Sequence, residues 1–498
     1  MVSLRSVLML LALGSHYANA ILPIEIKGRR FIKNVQVHSD SGVKLDSKVY
    51  FIKGVDYQPG GSSGYDPRSG KDLLSDRDIC ERDAAVFQAL GINTVRIYSL
   101  NPDVNHDECM TIYNGAGISF ILDVNSGEQG ESLNRADPSS TYNERYLTRV
   151  FKFIEAFKEY TNVLGFFAGN EVINDQENSA WVSPQYIRAV QRDMKQYIAK
   201  HASRQIPVGY SAANIVELRG PTLDYLQCNS KDGSTIDSDL QESRSDFLGL
   251  NTYEWCSGSS DWKSSGYDKL NASVSDAVIP LLFSEVGCIL HMPRIFDEIS
   301  EGLFGGLINT FNGGLVYEYT KEANGYGLVE VDTEGNVKYL QDFANLREQY
   351  EKVTLPDINK DDVADTKIYK CADSEISAGY SNFGVKDFDV PDQPDEITHL
   401  IENGVNHNNI GKFVNITYNQ NPSKYKVYDQ QGTELNLTIS YPPQNLRNAI
   451  VGGNIPEVAS TTSRASSSSK NDAAAYGNKV SIGNSFFAVI ASILLSFI

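Results

Sequence analysis

Apolar and polar residues alternate in blocks between about residues 45 and 350, a pattern that predicts alternating strands and helices. Eight short apolar runs are typical of buried strands: Val49–Gln58, Asn93–Tyr98, Ile118–Val124, Val163–Asn170, Ile206–Ser211, Phe247–Tyr253, Pro280–Glu285 and Gly314–Tyr319. Helical periodicity is clearest at Asp78–Leu90, Asn143–Tyr160, Pro184–Ala202 and Val337–Gln349. The helices after the fifth and sixth strands are poorly marked, so irregular connections are expected there.

This alternation over roughly 300 residues favours an α/β fold of the (β/α)8 TIM-barrel type, spanning residues 21–355. A doubly wound open sheet is the alternative, but no glycine fingerprint follows the first strand. From 356 to 455 the chain becomes rich in Asn, Asp, Pro and Tyr. Alternating runs at Lys412–Tyr418 and Glu434–Tyr441 predict antiparallel strands there, and hence a small β-rich C-terminal appendage.

The two ends resemble processing signals rather than folded structure. Residues 1–20 have a positive start, a short apolar core and an A-x-A site, which predicts a cleaved signal peptide. Residues 471–498 end in an uncharged apolar run, as in a glycosylphosphatidylinositol (GPI) attachment signal. Asn471 is the predicted attachment residue, with Asp472 and Ala473 as alternatives. A membrane anchor at either end is disfavoured because each apolar run falls short of the roughly 20 residues that span a bilayer.

Residues 456–470 are rich in Ser and Thr and predict a solvated stalk before that signal. N-glycosylation is predicted at the three sequons, Asn271, Asn415 and Asn436. The net charge of −19 disfavours nucleic acid and anionic membrane surfaces as partners. We expect no metal and no cofactor, because no metal-binding motif is present.

Six cysteines in a secreted chain predict disulfides. In a barrel, the segments carrying Cys80 and Cys109 lie at one rim, and so do those carrying Cys256 and Cys288. The two remaining cysteines would then join the appendage to the barrel. The predicted pairs are Cys80–Cys109, Cys256–Cys288 and Cys228–Cys371.

Two carboxylates, Glu171 and Glu285, end apolar runs at the fourth and seventh predicted strands. An ionisable group there is costly to bury, and the carboxyl ends of barrel strands carry active sites. A pair on nearly opposite strands suits the acid/base and the nucleophile of a retaining glycosidase, which stand about 5–5.5 Å apart. Glu254 and Glu318 also lie near strand ends and compete for these roles.

Several segments resemble the fungal β-1,3-glucanosyltransferases of glycoside hydrolase family 72, the Gas/Gel/Phr group. They are Tyr57-Gln-Pro-Gly60, Asn93-Thr-Val-Arg-Ile-Tyr98, Gly169-Asn-Glu171, Asn251-Thr-Tyr-Glu-Trp-Cys256, Ser284-Glu-Val-Gly-Cys288 and Val316-Tyr-Glu-Tyr319. The resemblance runs from about residue 24 to 375. The loop Asn125–Gly130 departs from the family's usual form, and the chain is similar to the branch that lacks a cysteine-rich carbohydrate-binding module.

The resemblance implies Glu171 as acid/base and Glu285 as nucleophile. It also implies donor-glucan contacts at Gln58, Tyr98, Asp123, Asn170, Tyr253 and Tyr317. The expected reaction cleaves an internal β-1,3-glucan bond and transfers the new reducing end to the non-reducing end of a second glucan. We expect a monomer, held by its GPI anchor at the outer face of the plasma membrane or in the cell wall. The alternatives that remain are an endo-β-1,3-glucanase, a non-catalytic glucan-binding wall protein, and an enzyme with the same carboxylate pair that acts on a different glycan such as β-mannan.

Overall fold

The computed structural model describes residues 21–39, 42–176, 178–365, 367–371, 383–385 and 388–441. Within them, eight parallel strands pair in chain order and close a barrel, because the last strand pairs with the first. The strands are Ile52–Asp56, Thr94–Ile97, Ser119–Asp123, Val163–Asn170, Val208–Ala212, Phe247–Thr252, Leu281–Val286 and Gly313–Val316. All eight correspond to predicted runs, so the barrel prediction is confirmed.

Helices surround the barrel and bury its outer face. They are Arg77–Leu90, Asp107–Ala116, Pro138–Thr141, Glu144–Phe157, Ser179–Val182, Pro184–His201, Val216–Gln227, Ser238–Ser243, Tyr267–Ser273 and Gln341–Lys352, with a π-helical segment at Glu298–Gly306. Short 3-10 turns occur at Ser62–Gly64 and Lys360–Asp362. The first long helix has strong end signals: the Asp76 carboxylate accepts from the backbone N–H of Asp78 and Ile79, and Gly91 follows its end at a φ of 79°.

An antiparallel sheet precedes the barrel and was not predicted from the sequence. Its strands are Glu25–Lys27, Arg30–Ser39 and Gly42–Val49, so the predicted first run is split between this sheet and the barrel. Phe31 of the sheet packs edge-on against Phe247 inside the barrel, with ring centroids 5.6 Å apart. The sheet thus covers the end of the barrel where the strands begin, opposite the rim that carries the candidate site.

The segment after residue 355 is mostly irregular, which corrects the prediction of a β-rich appendage. Among its described residues, the strands are only Val427–Tyr428 and Glu434–Leu435, which extend a sheet begun by Val329–Val331 and Val337–Tyr339. It also forms one helix, Asp395–Asn403, which packs on two barrel helices. The predicted helix over Val337–Gln349 accordingly begins later, at Gln341.

The extended run Lys412–Tyr418 forms no strand because its partners are barrel side chains. The backbone N–H of Lys412 donates to Asp107 Oδ1 at 2.9 Å, and the ring of Phe413 packs on Tyr160. Alternation therefore marked a half-buried face, but that face packs on the helix Asp107–Ala116 and on Tyr160 rather than on another strand. The described residues of this segment share the core of the barrel.

Three disulfides are present, and they are the predicted pairs: Cys80–Cys109, Cys228–Cys371 and Cys256–Cys288. Of the three sequons, Asn415 and Asn436 are exposed, whereas Asn271 is half-buried and its Oδ1 accepts from Thr310 Oγ1 at 2.7 Å. The predicted leader, stalk and attachment signal with Asn471 lie outside the described residues. In the described part of the chain, no helix is both long enough and apolar enough to cross a membrane.

Candidate active site

The two predicted catalytic carboxylates both lie at the carboxyl rim of the barrel. Glu171 directly follows the fourth strand, and Glu285 belongs to the seventh. Asn251 of the sixth strand is the register partner of Glu285 and also contacts Glu171. One asparagine therefore lies between the two carboxylates.

Glu285 is buried and accepts hydrogen bonds at both oxygens. The Tyr98 hydroxyl donates to Oε1 at 3.0 Å, and the Tyr253 hydroxyl donates to Oε2 at 2.6 Å. Arg96 Nη1 lies 3.4 Å from Oε1. All three groups are donors, so they favour the ionised carboxylate that a nucleophile requires.

Glu171 has the left-handed backbone that non-glycine residues rarely adopt, with a φ of 50°. Its N–H donates to the Ser211 carbonyl at 2.9 Å, which extends the strand pairing by one residue. Asn251 Nδ2 donates to Glu171 Oε1 at 2.7 Å. Backbone strain of this kind, on the order of 1–3 kcal/mol, is found where a side chain must be held in a particular direction. Here it directs the Glu171 carboxyl group towards the centre of the rim.

The orientation of the Asn251 amide is fixed from behind. Its Oδ1 accepts from Ser284 Oγ at 2.8 Å and from Ser211 Oγ at 3.2 Å. The oxygen is therefore committed to hydroxyls, and the nitrogen faces Glu171. Asn251 was not predicted as a site residue, although a fully buried amide at a strand end is a signal of the kind that marked the glutamates.

Burial, followed by the negative charge on Glu171, raises the pKa of Glu285 to about 7. Arg96 and the two tyrosine hydroxyls act in the opposite direction. Glu285 has three donors, whereas Glu171 has one amide, so the donor set favours Glu285 as the ionised member of the pair. That distribution is the one a retaining mechanism needs at its start.

Arg96 is the buried centre of the rim and was not predicted as a site residue. Its Nε and Nη2 bind the two oxygens of Asp123 at 3.0 and 2.9 Å. Nη2 also donates to Asn170 Oδ1 at 3.1 Å, and Nη1 donates to the Ser284 carbonyl and to Glu285. All five guanidinium N–H groups therefore have acceptors.

The contacts of Arg96 show how two of the predicted substrate-binding residues, Asp123 and Asn170, are bound in the structure. Both Asp123 oxygens are used by Arg96, and Asp123 is only 3% exposed, so it acts in this structure as the counter-ion of Arg96. The Asn170 oxygen accepts from Arg96 and from Asn251. Its amide nitrogen is the polar group that remains for a ligand.

Tyrosine rings form a wall beside Glu285. Tyr317 packs edge-on against Tyr98 and against Tyr253, with ring centroids 6.4 Å apart in each case. Tyr326, which was not predicted as a site residue, also packs edge-on against Tyr317, and their ring centroids are 5.1 Å apart. Rings with hydroxyl groups suit the mixed apolar and polar surface of a sugar. The predicted residue Gln58 is buried, and its Oε1 accepts from the backbone N–H of Ser99 at 3.1 Å.

The two competing carboxylates have other partners. Glu254 forms an ion pair with Arg219 and accepts from the hydroxyl of Thr252. Glu318 accepts from Asn324 Nδ2 at 2.8 Å, and burial raises its pKa to about 7. Neither has the set of donors that surrounds Glu285. Among the described residues, no cluster of histidine, cysteine and carboxylate side chains could hold a metal ion.

An eight-stranded barrel with one carboxylate at each of the fourth and seventh strand ends defines an enzyme of the glycosidase type. Comparison with known proteins gives the family. Residues 14–354 match the glucanosyltransferases of glycoside hydrolase family 72, and the chain belongs to that family.

Relatives from several fungi cover most of the chain. The protein from Saccharomyces cerevisiae named probable 1,3-beta-glucanosyltransferase GAS3 is 58% identical over 88% of this chain and 83% of its own length. The 1,3-beta-glucanosyltransferase gel2 of Aspergillus fumigatus is 47% identical over 84% of this chain and 82% of its own. A mutant of Saccharomyces cerevisiae Gas2p in complex with laminaritetraose and laminaripentaose has a TM-score of 0.61, with 32% identity and 75% of each chain covered.

Proposed function

We propose that this protein is a retaining β-1,3-glucanosyltransferase that remodels the fungal cell wall, with Glu285 as nucleophile and Glu171 as acid/base. The observation that carries the assignment is the unequal donor set of the two carboxylates. Two tyrosine hydroxyls and a guanidinium stabilise the ionised form of Glu285, whereas Glu171 receives one amide. Family membership and the relatives' names support the glucan substrate.

In the first half of the reaction, a Glu285 oxygen attacks the anomeric carbon of an internal glucose unit. The glycosidic C–O bond breaks, and Glu171 gives its proton to the leaving oxygen, so that the chain beyond the cut departs with a free hydroxyl. A covalent glycosyl-enzyme remains. As Glu285 becomes an ester its charge is lost, while Glu171 becomes an anion, and the pair keeps one negative charge throughout.

In the second half, Glu171 removes a proton from the hydroxyl of a second glucan chain. That oxygen attacks the anomeric carbon, the ester bond to Glu285 breaks, and the glucan chain is lengthened with its configuration retained. The Asn170 amide and the tyrosine wall are the groups that would hold the donor sugar during both steps. Water in place of the second chain would give hydrolysis.

The test is product analysis after incubation with one reduced laminarioligosaccharide of defined length. Products longer than the donor are expected. If only shorter products form, and solvent oxygen enters their new reducing ends, the enzyme is an endo-glucanase. Binding of the donor with no product of either kind would assign a non-catalytic glucan-binding role.

We also propose that the chain is secreted, carries glycans at Asn271, Asn415 and Asn436, and is held by a GPI anchor attached at Asn471. The composition of the two ends supports this. Release of the protein from intact cells by a phosphatidylinositol-specific phospholipase would support the anchor. Replacing Asn471 together with Asp472 should abolish surface retention, and unchanged retention would contradict this attachment region.

A further inference from the structure

One fully buried arginine binds the backbone of two residues of the tyrosine wall. Arg294 lies between the seventh barrel strand and the π-helical segment, and its side chain is 0% exposed. Its Nη1 donates to the backbone carbonyl of Tyr317 at 2.7 Å, and its Nη2 donates to the backbone carbonyl of Tyr326. The rings of these two tyrosines pack edge-on, with centroids 5.1 Å apart. One guanidinium group therefore holds the backbone of both rings.

Arg294 is itself fixed by the helix Gln341–Lys352. Asp342, in the first turn of that helix and 2% exposed, accepts from Arg294 Nε at 2.7 Å and from its backbone N–H at 3.1 Å. Asn345 Nδ2 donates to the backbone carbonyl of Arg294 at 2.6 Å. A buried cation is costly unless it is paired and hydrogen-bonded, and Asp342 meets both needs. The arginine is thus held at its backbone and at its side chain.

Two aromatic rings and a glycine confine the guanidinium group. Its Cζ lies 4.6 Å from the ring centroid of Phe296 and 5.7 Å from that of Tyr326, within the range of cation–π attraction. A Cβ atom at Gly287 would lie 3.0 Å from Arg294 Nη1 and 3.3 Å from the Tyr317 carbonyl oxygen, which leaves little room for a side chain. Gly287 directly follows the seventh strand, so the guanidinium group packs against the end of that strand.

The positions of the wall rings depend on one another. The ring of Tyr253 packs edge-on against Tyr317 and Tyr326, with centroids 6.4 and 5.7 Å apart. Arginine suits the task of holding their backbone, because its planar fork donates to several fixed acceptors at once. A lysine ammonium is a point charge on a flexible stem and cannot reproduce that fork.

We propose that Arg294 is a positioning residue for the donor sugar, because its guanidinium group, anchored on Asp342, fixes the spacing of the Tyr317 and Tyr326 rings that hold the sugar. Arg294 is buried and does not touch the sugar itself. The quantity that it controls is therefore the dissociation constant of the donor. The sugar-binding part of this inference rests on the proposed function, whereas the spacing of the rings does not.

The chain offers a matched control in Arg188. This arginine is also 0% exposed, and it donates to the backbone carbonyls of Tyr225 and Cys228. Neither of these residues belongs to the tyrosine wall. Arg188→Lys therefore removes a buried fork of the same kind without altering the support of the wall.

The first experiment compares crystal structures of Arg294→Lys and Arg188→Lys with that of the wild-type protein. In Arg294→Lys the separation of the Tyr317 and Tyr326 rings should change by about 1 Å or more, because one ammonium cannot reach both carbonyls and Asp342. In the control the separation should stay at 5.1 Å. Unmoved rings in Arg294→Lys would overturn the proposal.

The second experiment measures the Kd of a reduced laminarioligosaccharide of defined length by calorimetry, with Glu171→Gln in every sample to block turnover. Arg294→Lys should weaken binding about tenfold, and Arg188→Lys by less than about twofold, although both variants should lower the melting temperature. When Tyr326→Ala is already present, Arg294→Lys should weaken binding by less than about threefold, because part of the wall that it supports is gone. An unchanged Kd in Arg294→Lys, or an equal loss in both arginine variants, would show a purely structural role.

Asp342→Asn is the second variant if Arg294→Lys does not fold. It keeps the arginine but removes the charge of its anchor, so donor binding should weaken about threefold. Unchanged binding in this variant would contradict the proposal. If the protein with an intact Arg294 binds no laminarioligosaccharide, the proposed function fails, and the ring positions alone decide the role of Arg294.

Discussion

Asn251 Nδ2 donates to Glu171 Oε1 at 2.7 Å, and the same side chain accepts from Ser284, the residue before Glu285. Glu171 and the strand that carries Glu285 are thereby linked through one buried amide. The link explains how Glu171 keeps a defined orientation on a residue whose backbone is left-handed. It also makes Asn251 a positioning residue of the active site.

Replacing Asn251 should therefore reduce turnover more than it reduces binding. For Asn251→Ala we expect kcat to fall about a hundredfold, because Glu171 loses the side-chain amide that donates to it and its carboxyl group is no longer held in one orientation. Asn251→Asp should be at least as inactive, since a second carboxylate would face Glu171. Steady-state transfer kinetics test both variants. A changed KM with an unchanged kcat would show that Asn251 acts on substrate binding instead.

The roles of the two glutamates can be separated with azide. In Glu285→Ala, azide should attack an activated β-glucosyl donor directly and give the α-glucosyl azide. In Glu171→Ala the glycosyl-enzyme still forms, so azide should displace Glu285 and give the β-glucosyl azide. Glu171→Gln and Glu285→Gln should each lose at least about 10³-fold of transfer activity while remaining folded. The opposite pair of azide products would reverse the assignment.

The barrel and the two glutamates could be predicted because each signal is local. The largely apolar run Val163–Asn170 precedes Glu171, and in the structure the fourth strand ends at Asn170, directly before that carboxylate. Arg96 and Asn251 were missed because each lies inside a run whose apolar neighbours dominate the pattern. Their importance depends on contacts with residues far away in the chain, such as Arg96 with Asn170 and with Glu285, which are 74 and 189 positions away.

The remaining errors concern surfaces that the sequence does not identify. The strand Arg30–Ser39 carries several polar residues, and its place against the barrel end depends on Phe31 meeting Phe247. The run Lys412–Tyr418 has the alternation of a strand, but alternation shows only that one side is buried. Which element covers that side is set by tertiary packing.

Removing the Cys228–Cys371 bond should destabilise the protein by about 2–5 kcal/mol. The bond closes a loop of 143 residues and ties the segment after the barrel to the end of helix Val216–Gln227. Urea unfolding of Cys228→Ser/Cys371→Ser measures the loss. The matched control is Cys80→Ser/Cys109→Ser, whose bond separates only 29 residues and should contribute less if loop entropy dominates. An equal or larger loss in the control would show that local packing decides.

The buried carboxyl group of Glu285 makes the free energy of unfolding depend on pH, and the sign of that dependence follows from its pKa. The pKa of Glu285 is raised to about 7 in the folded protein, from an ordinary value of 4.5, chiefly by burial. A raised carboxyl pKa makes the folded state bind the proton more tightly, so this contribution is full below about pH 4.5 and is lost as pH rises through 7. Glu285→Gln should therefore raise the free energy of unfolding near pH 8, by about 1–3 kcal/mol, and change it little near pH 4.

Glu298 offers a matched control, because its pKa is raised in the same way as that of Glu285 but it is not one of the two proposed catalytic carboxylates. It is fully buried in the π-helical segment, it accepts from Ser257 Oγ at 2.6 Å, and burial raises its pKa to about 7 as well. Glu298→Gln should therefore shift the pH–stability profile in the same direction as Glu285→Gln while glucan transfer is retained. Thermal melts from pH 4 to about pH 8, with transfer assays on the same samples, compare the two variants.

If the stability of Glu285→Gln rises equally at both ends of this pH range, the gain comes from packing and not from the loss of the titrating carboxyl group. If Glu298→Gln abolishes transfer, the loop that Glu298 supports beside Tyr253 is part of the active site, and Glu298 does not separate the effect of charge on stability from catalysis.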